Sequence, residues 1–414
     1  MSLIVQKYGG TSVGSLERIR NVAAKAVAAF RSGHQVVVTV SAMAGETNRL
    51  VALVEDLSGG AYSKREYDVV VATGEQVSTG LLAIAIEAMG VPARSYQGWQ
   101  VRFMTNSVHS KARIQDVEAA RILQDLAAGC IVVVAGFQGV DESGAITTLG
   151  RGGSDTSAVA LAAALKADYC DIYTDVDGVY TTDPRVVPKA RKLSRISYEE
   201  MLEMASLGAK VLQTRSVELA KKYAVPVRVL SSLEEGTGTL LTEEDDLMEQ
   251  VVVSAIAFNR DEAQITVLGV PDKPGVAALI FGTLADANIN VDMIIQNISA
   301  RSGETDVTFT VSKGDFKQAL TVLREPVTQI GAKDLSGDAD IAKVSVVGVG
   351  MRSHSGVAQR MFKALSADGI NIRMISTSEI KISVVIDEKY MELAVRSLHQ
   401  AFELDKEIGD HVRD

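Results

Sequence analysis

Lys7-Tyr8-Gly9-Gly10-Thr11-Ser12 stands at the exit of the apolar run Leu3-Ile4-Val5, which reads as a buried strand. Two glycines follow, where backbone can approach a ligand with no Cβ in the way. A helical pattern opens near Ser15 and runs to Arg31. Strand, glycine turn and helix N-terminus together aim backbone N–H groups at one point, which suits a phosphate, and Lys7 adds a mobile cation. The same layout also serves as a plain connector. It is neither a Walker A loop, because Ser15 stands where the lysine belongs, nor G-x-G-x-x-G.

Outward from this turn, residues 1 to about 230 alternate apolar strands with helical patterns. Strands are expected at Gln35–Val40, Ile131–Phe137, Ile172–Thr174, Val227–Leu230 and Thr239–Leu241. Helices are expected at Ser15–Arg31, Glu66–Met89, Gln115–Ala127, Asp155–Lys166 and Gly208–Tyr223. This alternation implies an α/β fold with a mainly parallel sheet covered on both faces, and ligands bound beyond the carboxyl ends of its strands.

A chain of 414 residues calls for two or three domains. The net charge of −10 argues against nucleic acid as the main partner. Cys130 and Cys170 lie in apolar runs and read as buried thiols, and the five histidines show no ligand spacing. With no signal-peptide pattern and no apolar run of membrane-spanning length, a cytoplasmic protein without a membrane partner is expected.

Four further stretches mix polar chemistry with glycine turns. Gly150-Arg151-Gly152-Gly153-Ser154-Asp155 opens a helix, and its arginine can grip a carboxylate or phosphate. The stretch from Asp171 to Arg185 combines carboxylates with Tyr180 and Arg185, a set suited to ribose, base and phosphate. Glu75 is a carboxylate inside an apolar run, and Ser41 to Asn48 reads as a small polar loop. Each alone also admits a structural role, as a glycine turn, a polar hairpin rim or a buried pair.

The C-terminal part is an internal repeat. Ile265–Val270 matches Val344–Val349, Gly275-Val276-Ala277 matches Gly356-Val357-Ala358, and Phe281, Leu284, Ile289, Asn290, Met293 and Ile294 recur at a constant offset of 81. Each copy reads β-α-β-β-α, a split βαβ unit. The acidic stretch 231–250 reads as a boundary. A spare strand, Val251–Phe258, is expected to complete the sheet of the second copy.

The ordered set K-Y-G-G-T-S, S-A-M-A-G-x-T-N, T-G-E, G-R-G-G-S-D and Y-T-D-V-D-G-V-Y-T-T-D-P-R, followed by the repeat, closely resembles aspartokinase over essentially the whole chain. The resemblance implies an amino-acid kinase fold over 1–245, a first ACT domain over 265–341, and a second ACT domain built from 251–264 and 342–414. It implies ATP-dependent phosphorylation of the β-carboxylate of L-aspartate, the first step toward lysine, threonine and methionine. ATP and Mg2+ are the implied cofactors, with no protein metal ligand assigned. The implied catalytic residues are Lys7, Arg151 and Asp155, with Asp155 orienting Lys7. Ser41, Thr47, Glu75, Arg151, Gly152 and Ser154 are implied for aspartate, with Glu75 on its ammonium group. Lys7, Gly9, Gly10, Ser12, Thr174, Asp175, Tyr180, Arg185 and Lys210 are implied for ATP.

Lysine and threonine are the implied effectors. They would act through Asp272, Gly275, Ala277, Gln296 and Asn297 of the first copy and Ser376, Thr377, Ser378 and Glu379 of the second. The second copy's loop Met351–Gly356 lacks a carboxylate of its own. The resemblance also implies a homo-oligomer, dimer or tetramer, and some relatives start a separate regulatory subunit near the position of Met248. Rival readings are another amino-acid kinase, acting on glutamate or N-acetylglutamate, and a non-catalytic amino-acid sensor.

Overall fold

A computed structural model describes the chain except residues 209–210, 246–247, 249–250, 299–303 and 407–414. It divides into two compact units: Met1–Val179 with Lys192–Ser206 and Lys210–Met248, and Tyr180–Arg191 with Leu207–Ala209 and Glu249–Asp414.

In the first unit the strands are β1 (Leu3–Tyr8), β2 (Gln35–Val40), β3 (Ala93–Tyr96), β4 (Phe103–Thr105), β5 (Ile114–Val117), β6 (Ile131–Ala135), β7 (Gln138–Val140), β8 (Ile146–Thr148), β9 (Tyr169–Thr174), β10 (Arg195–Ser197), β11 (Val227–Ser231) and β12 (Thr239–Thr242). Its helices are α1 (Leu16–Arg31), α2 (Glu46–Ser58), α3 (Lys64–Val71), α4 (Thr73–Glu87), α5 (Ala120–Ala127), α6 (Gly153–Leu165), α7 (Tyr198–Ser206) and α8 (Thr214–Lys222). Eight strands form one sheet in the order β10-β12-β11-β9-β1-β2-β6-β3, and β5-β4-β7-β8 form a smaller one. All pairings from β11 through β3 are parallel. Val36, Val37, Val38 and Val40 of β2 and Ile131 to Ala135 of β6 are buried, as strands covered on both faces must be.

Several sequence expectations need correction. Gln115–Ala127 is not one helix: Ile114–Val117 pairs with β4, and the helix begins only at Ala120. The polar loop at Ser41 ends at Gly45, whose positive φ starts α2 at Glu46. Of the described residues in Gly208–Tyr223, only Thr214–Lys222 are helical. Cys170 is buried, but Cys130 lies before β6 and is only half-buried. The helical stretch Lys64–Glu87 is long and apolar enough to match a membrane span. Half of its most apolar window is packed inside the protein, and it carries buried Asp68 and Glu75, as befits a core helix.

In the second unit β13 (Ala255–Pro271), α9 (Val276–Asp286), β14 (Ile294–Ile298), β15 (Glu304–Val311) and α10 (Phe316–Ile330) are followed by β16 (Asp334–Val347), α11 (Val357–Ala367), β17 (Met374–Thr377), β18 (Lys381–Asp387) and α12 (Met391–Ala401). One sheet runs β14-β15-β13-β16-β18-β17. The 17-residue β13 and 14-residue β16 pair along their lengths, with register shifts near Asn259–Gln264. Ala255–Asn259 pairs with Val347–Lys343, while Ala263–Val267 pairs with β15. Two apolar cores sit on this sheet, one around Ile265, Ile280 and Phe309 and one around Val344, Met361 and Leu398.

At the register shift Lys343, with only 3% of its side chain exposed, places Nζ 2.6 Å from Glu262 Oε1 and also meets Asp292. Removing one partner of a buried pair strands the other. Lys343→Met should therefore destabilise this unit by about 3 kcal/mol, and adding Glu262→Leu should recover most of the loss. Amide hydrogen exchange along β13 and β16 checks both variants.

Candidate active site

The parallel register delivers the ends of β1, β2, β6 and β9 to one edge of the large sheet. Lys7 lies beside Thr39 and Ile172, and Tyr8 beside Val40 and Tyr173, with Ala135 next along. The expected turn follows, but its N–H groups are partly spent: Ser12 N and Val13 N both donate to Gly9 O. Helix α1 starts only at Leu16, with Ser15 as its cap accepting from Arg18 N. The donors at this point are thus fewer than the strand–turn–helix layout implies.

Lys7 Nζ lies 2.6 Å from Asp155 Oδ1, and both side chains are nearly buried, at 12% and 11% exposure. Asp155 stands in the first turn of α6, which starts at Gly153 after a turn with positive φ at Gly150 and Gly152. Glycines crowd closely around this pair. A Cβ on Gly9 would come 3.3 Å from Lys7 Nζ, one on Gly10 would come 2.9 Å from Ala42 O, and one on Gly136 would come 2.8 Å from Ser154. The buried Ser12 hydroxyl has no hydrogen-bond partner.

Glu75 sits in the first turn of α4 and is 3% exposed. Its Oε1 accepts from Ala42 N at 3.0 Å, while Oε2 is buried without a partner. Ser78, one turn on, donates to Ser41 O and so ties α4 to the end of β2. Thr47 stands half-buried in the first turn of α2. The structure thus gathers Lys7, Gly9, Gly10, Ser12, Ser41, Glu75, Ser154 and Asp155 at the carboxyl edge. Arg151 is exposed on its glycine turn. Thr174, at the end of β9, donates to Asp175.

Tyr180 and Arg185 lie on the segment that packs with the second unit. There Thr181 Oγ1 is 2.9 Å from His399 Nε2, Ile256 N donates to Thr181 O, and Arg185 forks onto Asp183. Lys210 lies outside the described residues. Among the described residues no group of three or more His, Cys, Asp or Glu side chains could hold a metal ion.

The effector candidates separate within one chain. Asp272, Gly275 and Ala277 are exposed around the start of α9, where Gly275 is the cap with positive φ. Gln296 is exposed on β14, and Asn297 is described by its backbone alone. Ser376 and Thr377 lie on β17, the opposite edge of a six-stranded sheet and roughly 24 Å away at the usual strand spacing. Ser378 donates its N–H to Lys381 O. Glu379 Oε2 lies 3.6 Å from Arg352 Nε, so the second copy's loop has a carboxylate beside it after all.

Sequence reading passed over Asp68 and Arg215. Asp68 is fully buried and accepts from Ser110 N, Thr148 N and Thr148 Oγ1. Arg215 donates to Leu149 O and Ala112 O. A second carboxylate immediately ahead of the apolar run that holds Glu75 was the available signal for Asp68; Arg215, on an amphipathic helix, gave none.

Burial, partly offset by the Ala42 N–H bond, pushes the Glu75 carboxyl up to about 7 from an ordinary 4.5. Between those values the folded protein keeps a proton that the unfolded chain releases. The stabilising term is fully present below pH 4.5 and is lost as pH rises to about 7, an effect of roughly 3 kcal/mol. Glu75→Gln removes the term, so the substrate-free variant should gain stability over the parent at pH 8 relative to pH 5. Denaturant unfolding at the two pH values checks this.

Comparison with known proteins follows the same outline. Residues 2–231 match the amino acid kinase family, and residues 265–326 and 344–402 match an ACT domain. An aspartate kinase of Stutzerimonas stutzeri is 63% identical over 412 residues, covering 99% of each chain. The crystal structure of E. coli aspartokinase III in complex with aspartate and ADP (R-state) is similar with a TM-score of 0.80 at 28% identity, covering 96% of this chain and 99% of that one. The structure of the same enzyme in complex with lysine and aspartate (T-state) gives a TM-score of 0.76 at 28% identity, covering 97% and 99%.

Proposed function

The chain belongs to the amino acid kinase family and, within it, to the aspartokinases, and from that membership we propose that it transfers the γ-phosphoryl group of ATP to the β-carboxylate of L-aspartate. The product, 4-phospho-L-aspartate, begins the route to lysine, threonine and methionine. The observation that carries the reading is the Lys7–Asp155 pair beside the unpartnered oxygen of Glu75, at the carboxyl edge of a parallel sheet.

A substrate carboxylate titrates near 4, so it is already the nucleophile at neutral pH and needs no general base. What remains is alignment and charge stabilisation on the transferring group. Lys7 supplies the charge, and Asp155 fixes where that charge sits. Gly9 and Gly10 keep the turn free of side chains, and Ser12 offers an unused hydroxyl to a phosphate oxygen. Glu75 takes the substrate ammonium on Oε2, with Ser41 and Thr47 beside it. Arg151 takes a substrate carboxylate, with Gly152 and Ser154 at the root of its turn. Thr174, Asp175, Tyr180, Arg185 and Lys210 are assigned to the nucleotide on the family resemblance. Mg2+ would come bound to the nucleotide and would supply charge neutralisation there.

The bound aspartate, ADP and lysine of the E. coli relatives support substrate, nucleotide and a lysine effector here; threonine rests on the family resemblance. The kinase is read as 1–245, with Tyr180–Arg191 grouping with the second unit, and the ACT domains as 265–341 and as 251–264 with 342–414; the pairing of Ala255–Asn259 with Val347–Lys343 supports that interleaving. Effector candidates at opposite sheet edges favour an effector site completed by a second copy of the chain, hence at least a homodimer.

Three measurements test the reading. Acyl phosphate trapped by hydroxylamine should appear with Mg-ATP and aspartate and fall when lysine or threonine is added. No hydroxamate with any acidic amino acid would leave a sensor with a silent kinase fold. Lys7→Ala should lose about 3–5 kcal/mol of transition-state stabilisation, seen as a fall of roughly two to four orders of magnitude in kcat. Because an ammonium ligand needs Glu75 ionised, the KM for aspartate should fall as pH rises from 6 to 8. Glu75→Gln should abolish that trend and raise KM by roughly tenfold or more at pH 8.

A further inference from the structure

We propose that Asp68 and Arg215 are positioning residues for aspartate binding, which together hold the root of the Gly150–Gly152 turn so that it presents Arg151 to the substrate. The inference rests on the reading of Arg151 as a substrate-carboxylate ligand.

Arg151 stands between two glycines with φ of +77° and +71°, a backbone that is entropically loose unless something fixes it. The side chain itself is exposed. What is fixed lies immediately upstream. Thr148 donates to Asp68 through both its N–H (3.1 Å) and its hydroxyl (2.6 Å). Leu149 O, one residue on, accepts from Arg215 Nη1 at 2.6 Å. The neighbouring segment is bound by the same two side chains. Ser110 N donates to both oxygens of Asp68, at 3.1 and 2.9 Å, and His109 Nδ1 lies 3.0 Å from Oδ2. Ala112 O accepts from Arg215 Nη2 at 2.8 Å, and Ala112 N donates to Thr148 O. Ser110 O closes on the turn, 2.9 Å from where a Cβ of Gly150 would stand. A carboxylate on α3 and a guanidinium on α8 thus grip the two neighbouring segments, 109–112 and 148–149, from which the turn springs. The fully buried Asp68 and the half-buried Arg215 each satisfy several groups at once, mostly backbone ones.

Each grip has a near-isosteric variant. Asp68→Asn turns one acceptor oxygen into a donor facing N–H and O–H donors. Arg215→Lys replaces a fork that spans two carbonyls with a single ammonium. Both variants should raise the KM for aspartate by about tenfold, leave the KM for ATP within about twofold, and cost kcat far less. The decisive readout is a double-mutant cycle with Arg151→Ala, in the full-length protein. In that background neither Asp68→Asn nor Arg215→Lys should raise the aspartate KM further, because each acts through Arg151. An additive effect, or equal rises in both KM values, would overturn the inference in favour of general support of the fold. If Arg151→Ala alone leaves the aspartate KM unchanged, the assignment of Arg151 fails. If it raises KM while neither clamp variant does, only the clamp fails. Should Asp68→Asn not fold, the half-buried Arg215 carries the test.

Discussion

A single register, Lys7 beside Thr39 on one side and Ile172 on the other, sets the chemistry of the first unit. Because β1 runs parallel to both neighbours, the loops after β1, β2, β6 and β9 emerge at one edge. Lys7, the last residue but one of this strand, meets Asp155 there. Shifting β1 by one residue would turn Lys7 to the opposite face and replace it with the fully buried Tyr8. Tyr8 cannot make that exchange easily, since its ring stacks on Tyr173 at 4.5 Å. The aromatic pair therefore acts as a register pin for the lysine next to it.

The site that results has charges held at unequal cost. Lys7 and Asp155 neutralise each other. Glu75 has one backbone donor and one bare oxygen, and burial alone keeps it half-protonated near neutrality. Such a group is poorly satisfied without a ligand and well satisfied by a cation. Crowding excludes a Cβ at Gly10, against the backbone of Ala42, and at Gly136, against Ser154, while at Gly9 a Cβ would only press on the end of the Lys7 side chain.

Much of this was legible in the sequence because it depends on local grammar. The glycine turn after an apolar run, the small-residue helix after Gly153, and the repeat at an offset of 81 all report backbone geometry directly. What was not legible depends on tertiary partners. Ile114–Val117 continues a helical pattern by composition, yet β4 captures it as a strand. Helix α2 was hidden because its start at Glu46 has a glycine for a cap and no side-chain cap bond. Asp68 and Arg215 meet through backbone groups at 110–112 and 148–149, and no sequence spacing encodes that meeting. The boundaries of α6, by contrast, fell within two residues, because glycines bracket its start.

In the second unit the two sequence repeats share β13 and β16, each long enough to serve both apolar cores. The repeat is therefore a unit of ancestry and not a unit of assembly. A gene cut between the copies would sever no loop; it would remove a partner strand from each core and leave raw edges. Neither copy can therefore be removed without stripping the other of half its strand pairing.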